Sequence, residues 1–346
     1  MLAAAKDTVT FSSRDPLQEA SSAPSLMLVN HDPPEHTALR KLVNLAFSPK
    51  RIAGLASWLA DLMPELLDQL GQGEVDVMAL APEVPARAMV RLLGLPDGDH
   101  VRFQRWANAF MLSSAMPPAE RVASNEEMFR ALTERVAAAR TVEPEADVDS
   151  ANNLIAALTC AEVDGTRLTP EEIVRFCVTL VVAGTETTTY LIGNVLDTLA
   201  SHPGVCEEVR ANRELIPAMI EETMRLNGPP QRLFRIATRD VVVGDKRISR
   251  GDWVALFFAA ANRDPEVFEH PDRFDLHRAN IRKQLSLGHG LHFCLGAVLA
   301  RLEVRGVVDA VLDRYPTIRR GHREQVKQTA TLLQHGFVSL PLLLCR

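Results

Sequence analysis

Residues 287–296 read Leu287-Gly288-His289-Gly290-Leu291-His292-Phe293-Cys294-Leu295-Gly296, and an apolar-periodic run from Leu295 to Arg314 follows. Two closely spaced glycines make a tight loop, because glycine alone enters left-handed backbone without a Cβ clash. The loop delivers a cysteine to the mouth of a helix. There the helix dipole and the free backbone N–H groups stabilise a thiolate. Gly296 leaves space for something bulky to approach the backbone. Taken alone, this pattern fits an anion site, a nucleophilic cysteine or a metal ligand. The other cysteines (160, 177, 206 and 345) stand in no such setting and read as inert thiols.

Upstream, Thr169-Pro170-Glu171-Glu172 is a capping box with proline at the first helical position. Apolar residues follow at Ile173, Phe176, Leu180, Val181, Gly184, Leu191 and Val195 before Pro203. This predicts about 45 Å of helix at 1.5 Å per residue. Its middle reads Ala183-Gly184-Thr185-Glu186-Thr187-Thr188-Thr189. Glycine and clustered threonines are poor mid-helix residues, and threonine hydroxyls compete for the i−4 carbonyls. Such a conflict between local preference and overall pattern marks a functional segment. The competing reading is a packing glycine among buried threonines.

Helical periodicity dominates residues 32–230 and returns at 295–314. Strand-like text occupies 234–259, with Val241–Val243, a Gly-Asp turn, Lys246–Ile248 and then Trp253 to Phe258. A second extended tract covers 331–345. Residues 141–150 are the clearest loop and are too short to divide the chain, so one domain over 1–346 is expected.

The chain has 346 residues, 47% apolar and 24% charged, which is ordinary globular composition. It excludes a disordered, collagenous or coiled-coil chain. The net charge of −6 argues against a nucleic-acid-binding body. The five cysteines contain no C-x-x-C pair, which argues against a disulfide framework or zinc ribbon and for a reducing compartment. No apolar run approaches the roughly 18 residues of a membrane span. The opening Met1-Leu2-Ala3-Ala4-Ala5-Lys6 lacks the apolar centre of a signal peptide. A cytoplasmic protein without membrane anchor is expected.

The 287–296 stretch resembles the haem-thiolate loop of the cytochrome P450 family, F-G-x-G-x-H-x-C-x-G, with Leu287 in place of the leading aromatic. Four more family landmarks occur in family order. Ala183-Gly-Thr-Glu-Thr187 resembles the central-helix A-G-x-[DE]-T, Glu222-Thr-Met-Arg225 the E-x-x-R helix, and Pro271-Asp-Arg-Phe274 the P-x-R-F meander. His31 to Arg40 resembles the entry to the third helix of soluble bacterial members. The resemblance runs from about Thr8 to the C-terminus.

It implies a mainly α fold with a small β region, in which a long central helix passes a haem-thiolate loop set before a C-terminal helix. It implies haem b as cofactor, with Cys294 as the iron ligand. His36, Arg40, Arg235 and His292 are expected to meet the haem propionates, since two carboxylates in an apolar cavity need cationic, hydrogen-bonding partners. Gly288 belongs to the cofactor loop. Thr187 and Glu186 are expected to manage protons, helped by a helix distortion at Gly184. Glu222, Arg225 and Arg273 are expected to form a buried structural ion-pair cluster. Expected substrate-pocket walls are Phe110, Met111, Val182, Ala183, Gly184, Leu233, Phe234 and Phe337. Phe257 and Phe258 read as core strand.

The implied reaction is monooxygenation of an apolar small molecule by a monomer. Two electrons would come from a ferredoxin and its ferredoxin reductase, because no flavin or nicotinamide motif is present. Between Arg273 and Arg305 there are six Lys/Arg (273, 278, 282, 283, 301, 305) against Asp275 and Glu303, a basic stretch suited to an acidic donor. Two alternatives stay open: a peroxide-driven or isomerising haem-thiolate enzyme, and a shortened haem-binding protein without catalysis. The second arises because family members normally have a helix and strands before text like Val9-Thr-Phe-Ser-Ser13. Without them, strand edges within 234–259 are expected to lack partners. Retention of both Glu186 and Thr187 argues against the peroxide-driven alternative.

Overall fold

Thr169 starts the longest element. In the computed structural model, which describes residues 1–14, 26–110, 116–141, 148 and 151–345, its side chain accepts from the backbone N–H of Glu172. The Glu172 carboxylate in turn accepts from the Thr169 N–H. From this capping box the central helix runs unbroken over Pro170–Ser201, 32 residues. By length and apolarity alone it would suffice to cross a membrane, contrary to the expectation that no run comes close. Yet 72% of its most apolar window is buried inside the fold, so it serves as the core helix.

Its two halves belong to different cores. Residues Ile173–Val182 pack with Met89, Phe103, Trp106 and Met128 from the helices Glu83–Leu93, His100–Phe110 and Pro118–Thr141. Residues Leu191–Ala200 pack with Leu59, Ile220, Val304 and Tyr315, against the helices Leu55–Leu70, Ile216–Asn227 and Ala297–Arg314. Residues 183–190 belong to neither cluster. The conflict foreseen at Ala183–Thr189 is thus real in packing. It does not break the helix, although Thr185, Thr187 and Thr189 each donate to the carbonyl four residues back.

The β structure is small, as expected. Gly73–Asp76, Pro341–Cys345 and Thr317–Arg320 form one antiparallel sheet in that spatial order. Val241–Val243 and Lys246–Ile248 form the anticipated hairpin, turned by Gly244-Asp245 with Gly244 at φ +62°. The third sheet, Phe11–Ser12, Arg232–Ala237 and Trp253–Phe257, positions the site. Phe11–Ser12 covers only Ile236 and Ala237, so Arg232–Arg235 have no strand on that side among the described residues. The helix Leu2–Lys6 lies nearby, with Ala5 packed on Leu256 and Phe258. The last strand stops one residue earlier than the sequence suggests. Phe257 is exposed, and Phe258 is buried and opens a short helix.

Candidate functional site

The loop 287–296 closes on itself. The Cys294 N–H donates to the Leu287 carbonyl at 2.8 Å. Gly288 and Gly290 sit at φ +76° and +69°, the left-handed backbone their spacing called for. The helix begins at Ala297, with Gly296 as its cap. Burial pushes the Cys294 thiol above its ordinary pKa, while the Gly296 N–H, Arg40 and Arg301 pull the other way. A Cβ on Gly296 would meet only Cys294 Sγ, at 3.9 Å. The backbone beside the sulfur is therefore open to a large partner.

Around this loop the fold gathers His36, Arg40, Arg235 and His292. His36 and Arg40 lie one turn apart on the helix Glu35–Ala46. The rings of His36 and His292 are 4.4 Å apart and tilted by 50°. His292 Nε2 shares a 2.9 Å hydrogen bond with Ser13 Oγ. His36 is buried with both ring nitrogens unpartnered. Arg235 is buried on its strand and donates to the Phe234 carbonyl at 2.7 Å. Arg40 donates to Asn44 Oδ1 at 3.2 Å. Neither arginine has a carboxylate ion-pair partner among the described residues. Asp32, the acid nearest this group in charge effect, already accepts from Ser12 Oγ and the Ser13 N–H.

Burial disfavours the charged form of both imidazoles. Desolvation, with Arg235 and His36 beside it, drives His292 down to about 3. Desolvation and Arg40 lower His36 as well. The group offers two guanidinium groups and two imidazoles as hydrogen-bonding partners. A buried cation such as Arg235 and an unpartnered buried imidazole such as His36 are costly unless an anion completes them. A group bearing two carboxylates and a metal that takes a thiolate fits this donor set, and haem b is such a group.

Between its two cores the central helix opens one face. Ala183 is exposed although the preceding turns are buried, and Glu186 and Thr187 are partly exposed. Thr187 Oγ1 donates to the Ala183 carbonyl at 2.9 Å, which leaves its oxygen free to accept. Gly184 faces elsewhere. A Cβ there would come 3.3 Å from the Met89 sulfur, so it is a packing glycine and not a pocket wall. Thr185, Thr188 and Thr189 are buried beside it.

The remaining pocket candidates divide. Strand alternation puts Leu233 on the face of buried Arg235, and Leu233 is 42% exposed there. Phe234 is corrected: it points to the opposite face, where its ring meets Trp253 edge-on at 5.8 Å. Val182 is a core residue next to Val181. Phe337 is buried in the second core, 3.8 Å from where a Cβ on Gly193 would stand. Phe110 ends its helix half-buried against the first core. Met111 lies outside the described residues.

Glu222 and Arg225 form the expected buried pair, with Arg225 Nε and Nη2 donating to the two carboxylate oxygens at 2.8 Å each. The third member is corrected from Arg273 to Arg278. Arg278 Nε donates to Glu222 Oε1 at 3.0 Å from a buried position. Arg273 contributes only its backbone carbonyl, which accepts from both arginines, and its side chain is exposed. Ser13, Asp32 and Arg278 were not singled out by the sequence. Only the register of distant segments, 279 residues apart for Ser13 and His292, brings them in.

Comparison with known proteins agrees with this geometry. A family profile described as Cytochrome P450 matches residues 100–342. Cyclomarin C epoxidase CymV of Salinispora arenicola is 39% identical over 295 residues, covering 83% of this chain and 73% of that protein. Erythromycin C-12 hydroxylase of Saccharopolyspora erythraea is 38% identical over 319 residues, covering 90% and 78%. The solved structure of cytochrome P450 CYP109Q5 from Chondromyces apiculatus superposes with a TM-score of 0.89 at 33% identity, covering 99% of this chain and 87% of that one. With a glycine-framed cysteine beside an acid-poor cradle of guanidinium and imidazole groups, and with this match in sequence and fold, the chain belongs to the cytochrome P450 family of haem b monooxygenases.

Proposed function

We propose that this monooxygenase hydroxylates or epoxidises an apolar small molecule, using dioxygen and two electrons delivered by an acidic ferredoxin. One observation carries the reading. The central helix is buried along both halves and presents Ala183, Glu186 and Thr187 only at the waist between the two cores. An acid and an alcohol at that waist are suited to handing protons to a reaction that consumes them. Cys294 holds the haem, and Arg40, Arg235, His36 and His292 hold its carboxylates. Bound there, haem b supplies the dioxygen and electron chemistry. Ala183 and Leu233 supply apolar wall. The hydroxylase and epoxidase activities printed in the names of the two relatives support the choice of reaction. The same reading assigns the enzyme to the cytoplasm, as a monomer.

The donor proposal rests on charge. Arg282 and Lys283 are exposed on the turn Ile281–Lys283. That turn is tied to the start of the Cys294 helix through Glu221, which accepts from Gln284 and from Arg301. Arg273 is exposed, whereas Arg278 belongs to the buried cluster. Electrostatics of this kind mainly raises association rate. Turnover with ferredoxin tests both halves. In Thr187→Ala, substrate binding stays normal and electrons run to hydrogen peroxide in place of product. In Arg282→Glu/Lys283→Glu, reduction by ferredoxin slows, the loss shrinks with salt because screening acts over about 10 Å at 0.1 M, and reduction by dithionite is unchanged. Unaltered coupling in the first variant removes Thr187 from the mechanism. Equal slowing with both reductants in the second removes the docking surface.

A further inference from the structure

One turn beyond Glu186 on the central helix stands Tyr190, whose hydroxyl donates to Glu186 Oε1 at 3.2 Å. Tyr190 is buried and Glu186 half-buried, so this charge-assisted bond is partly shielded from water. The tyrosine ring is held from outside its own helix. Gly336 lies against it so closely that a Cβ there would come within 2.4 Å of Tyr190 Cγ and Cδ1. The backbone at Gly336 is not left-handed, so closeness to the ring is the only demand for glycine at that position. The segment carrying Gly336 is pinned to the same helix one turn further on. Asn194 Nδ2 donates to the His335 carbonyl at 3.2 Å and to the Asn227 carbonyl at 2.7 Å. The Gln328 N–H fixes the Gly336 carbonyl at 2.9 Å. The ring is therefore held in place, with its hydroxyl donating to Glu186.

We infer that Tyr190 is a positioning residue for Glu186. It keeps its own proton and limits the directions in which the Glu186 carboxylate swings from the helix waist. A hydrogen bond from a seated donor narrows the rotamers open to a half-exposed glutamate. If the ring merely filled core, phenylalanine would serve equally well, because Tyr190→Phe keeps the ring and removes only the oxygen.

The inference rests on the proton-handling role proposed for Glu186, and the experiment separates the two. Wild type, Tyr190→Phe, Glu186→Gln and the double variant are loaded with haem and given one substrate that produces a binding difference spectrum. Tyr190→Phe is expected to bind that substrate within twofold of wild type. Its kcat should fall roughly threefold to tenfold, the loss of one hydrogen bond, with KM unchanged and more peroxide per electron. The double variant should be no slower than Glu186→Gln, since Tyr190 acts through the acid. In the absence of turnover, the infrared carboxylate bands identified as those missing from Glu186→Gln should shift in Tyr190→Phe. Wild-type coupling and unshifted bands in Tyr190→Phe, or a double variant slower than Glu186→Gln, would overturn the role of Tyr190 and leave that of Glu186 standing. Unchanged coupling in Glu186→Gln would overturn both.

Discussion

Two groups of inward-facing basic side chains lie in this molecule, and they are opposite in kind. Around Glu222, every charge is answered from within the chain. Arg225 and Arg278 bond the carboxylate and the carbonyls of Asn262, Glu269, Pro271 and Arg273, and the Asp275 N–H adds another donor. Around His36, Arg40, Arg235 and His292 the reverse holds. The guanidinium groups have no carboxylate partner among the described residues, and His36 has two idle nitrogens. A satisfied cluster is a fastener, and it ties the Ile216–Asn227 helix to the segment 262–278. An unsatisfied one is a receptor for something the chain does not contain. Both occur within P450 landmarks, so motif membership alone does not separate them. Hydrogen-bond accounting does.

The largest effect should come from breaking the fastener. Glu222→Ala leaves two arginines buried without their carboxylate, at a cost of about 3–5 kcal/mol. Urea titration of the haem-loaded protein should show that loss, with insoluble expression as the extreme case. A stability change below about 1 kcal/mol would mean the cluster is not a fastener.

The same accounting sharpens at its third member. Arg278→Gln should cost a large part of the Glu222 penalty. Arg273→Gln should stay within about 0.5 kcal/mol, as surface substitutions do. Reversal of that order would restore the assignment suggested by the meander pattern.

A smaller and differently signed effect is expected in the receptor. Replacing Arg235 with Leu removes a buried cation that lacks a counter-charge, so the haem-free protein should lose little stability or gain some. Haem affinity should instead fall by about 1–3 kcal/mol, the range of a charged hydrogen bond, measured by competition for haem with apomyoglobin. Equal losses in apo stability and haem affinity would make the cradle a second fastener.

The sequence reading succeeded where one segment carries its own instructions. The capping box at Thr169 and the apolar repeat after it are local, and so is the glycine spacing before Cys294. The central helix and the loop were therefore legible. So was the packing conflict at 183–189, although its outcome was not. The threonine hydroxyls turned onto their own helix carbonyls, and Gly184 met Met89. Neither result follows without knowing which helix lies alongside.

Features that depend on parity or on distant register were lost. Phe234 and Leu233 are neighbours in sequence and face opposite ways, because the strand pairs Ile236 with Trp253 and Phe234 with Ala255. Arg273 fits the P-x-R-F text, yet the turn after it brings Arg278, five residues on, to the carboxylate. Glu303 counts among the acids of the 273–305 stretch, with nothing to mark it as buried. Both its carboxyl oxygens are buried without partner, and burial raises its pKa well above the ordinary carboxylate range. The +4 counted over 273–305 from formal charges therefore understates the neutrality of that glutamate and overstates the exposure of Arg278.

The central claim is that Cys294, alone among five cysteines, holds the haem. Its most direct measurement is the absorption spectrum of the reduced, haem-loaded protein under carbon monoxide. Wild type should show the strongly red-shifted Soret band of thiolate-ligated haem, and the band should persist when Cys160, Cys177, Cys206 and Cys345 are each replaced by serine. Cys294→His should keep some haem and lose the band. Absence of the band from wild type, or its survival in Cys294→His, would contradict the account.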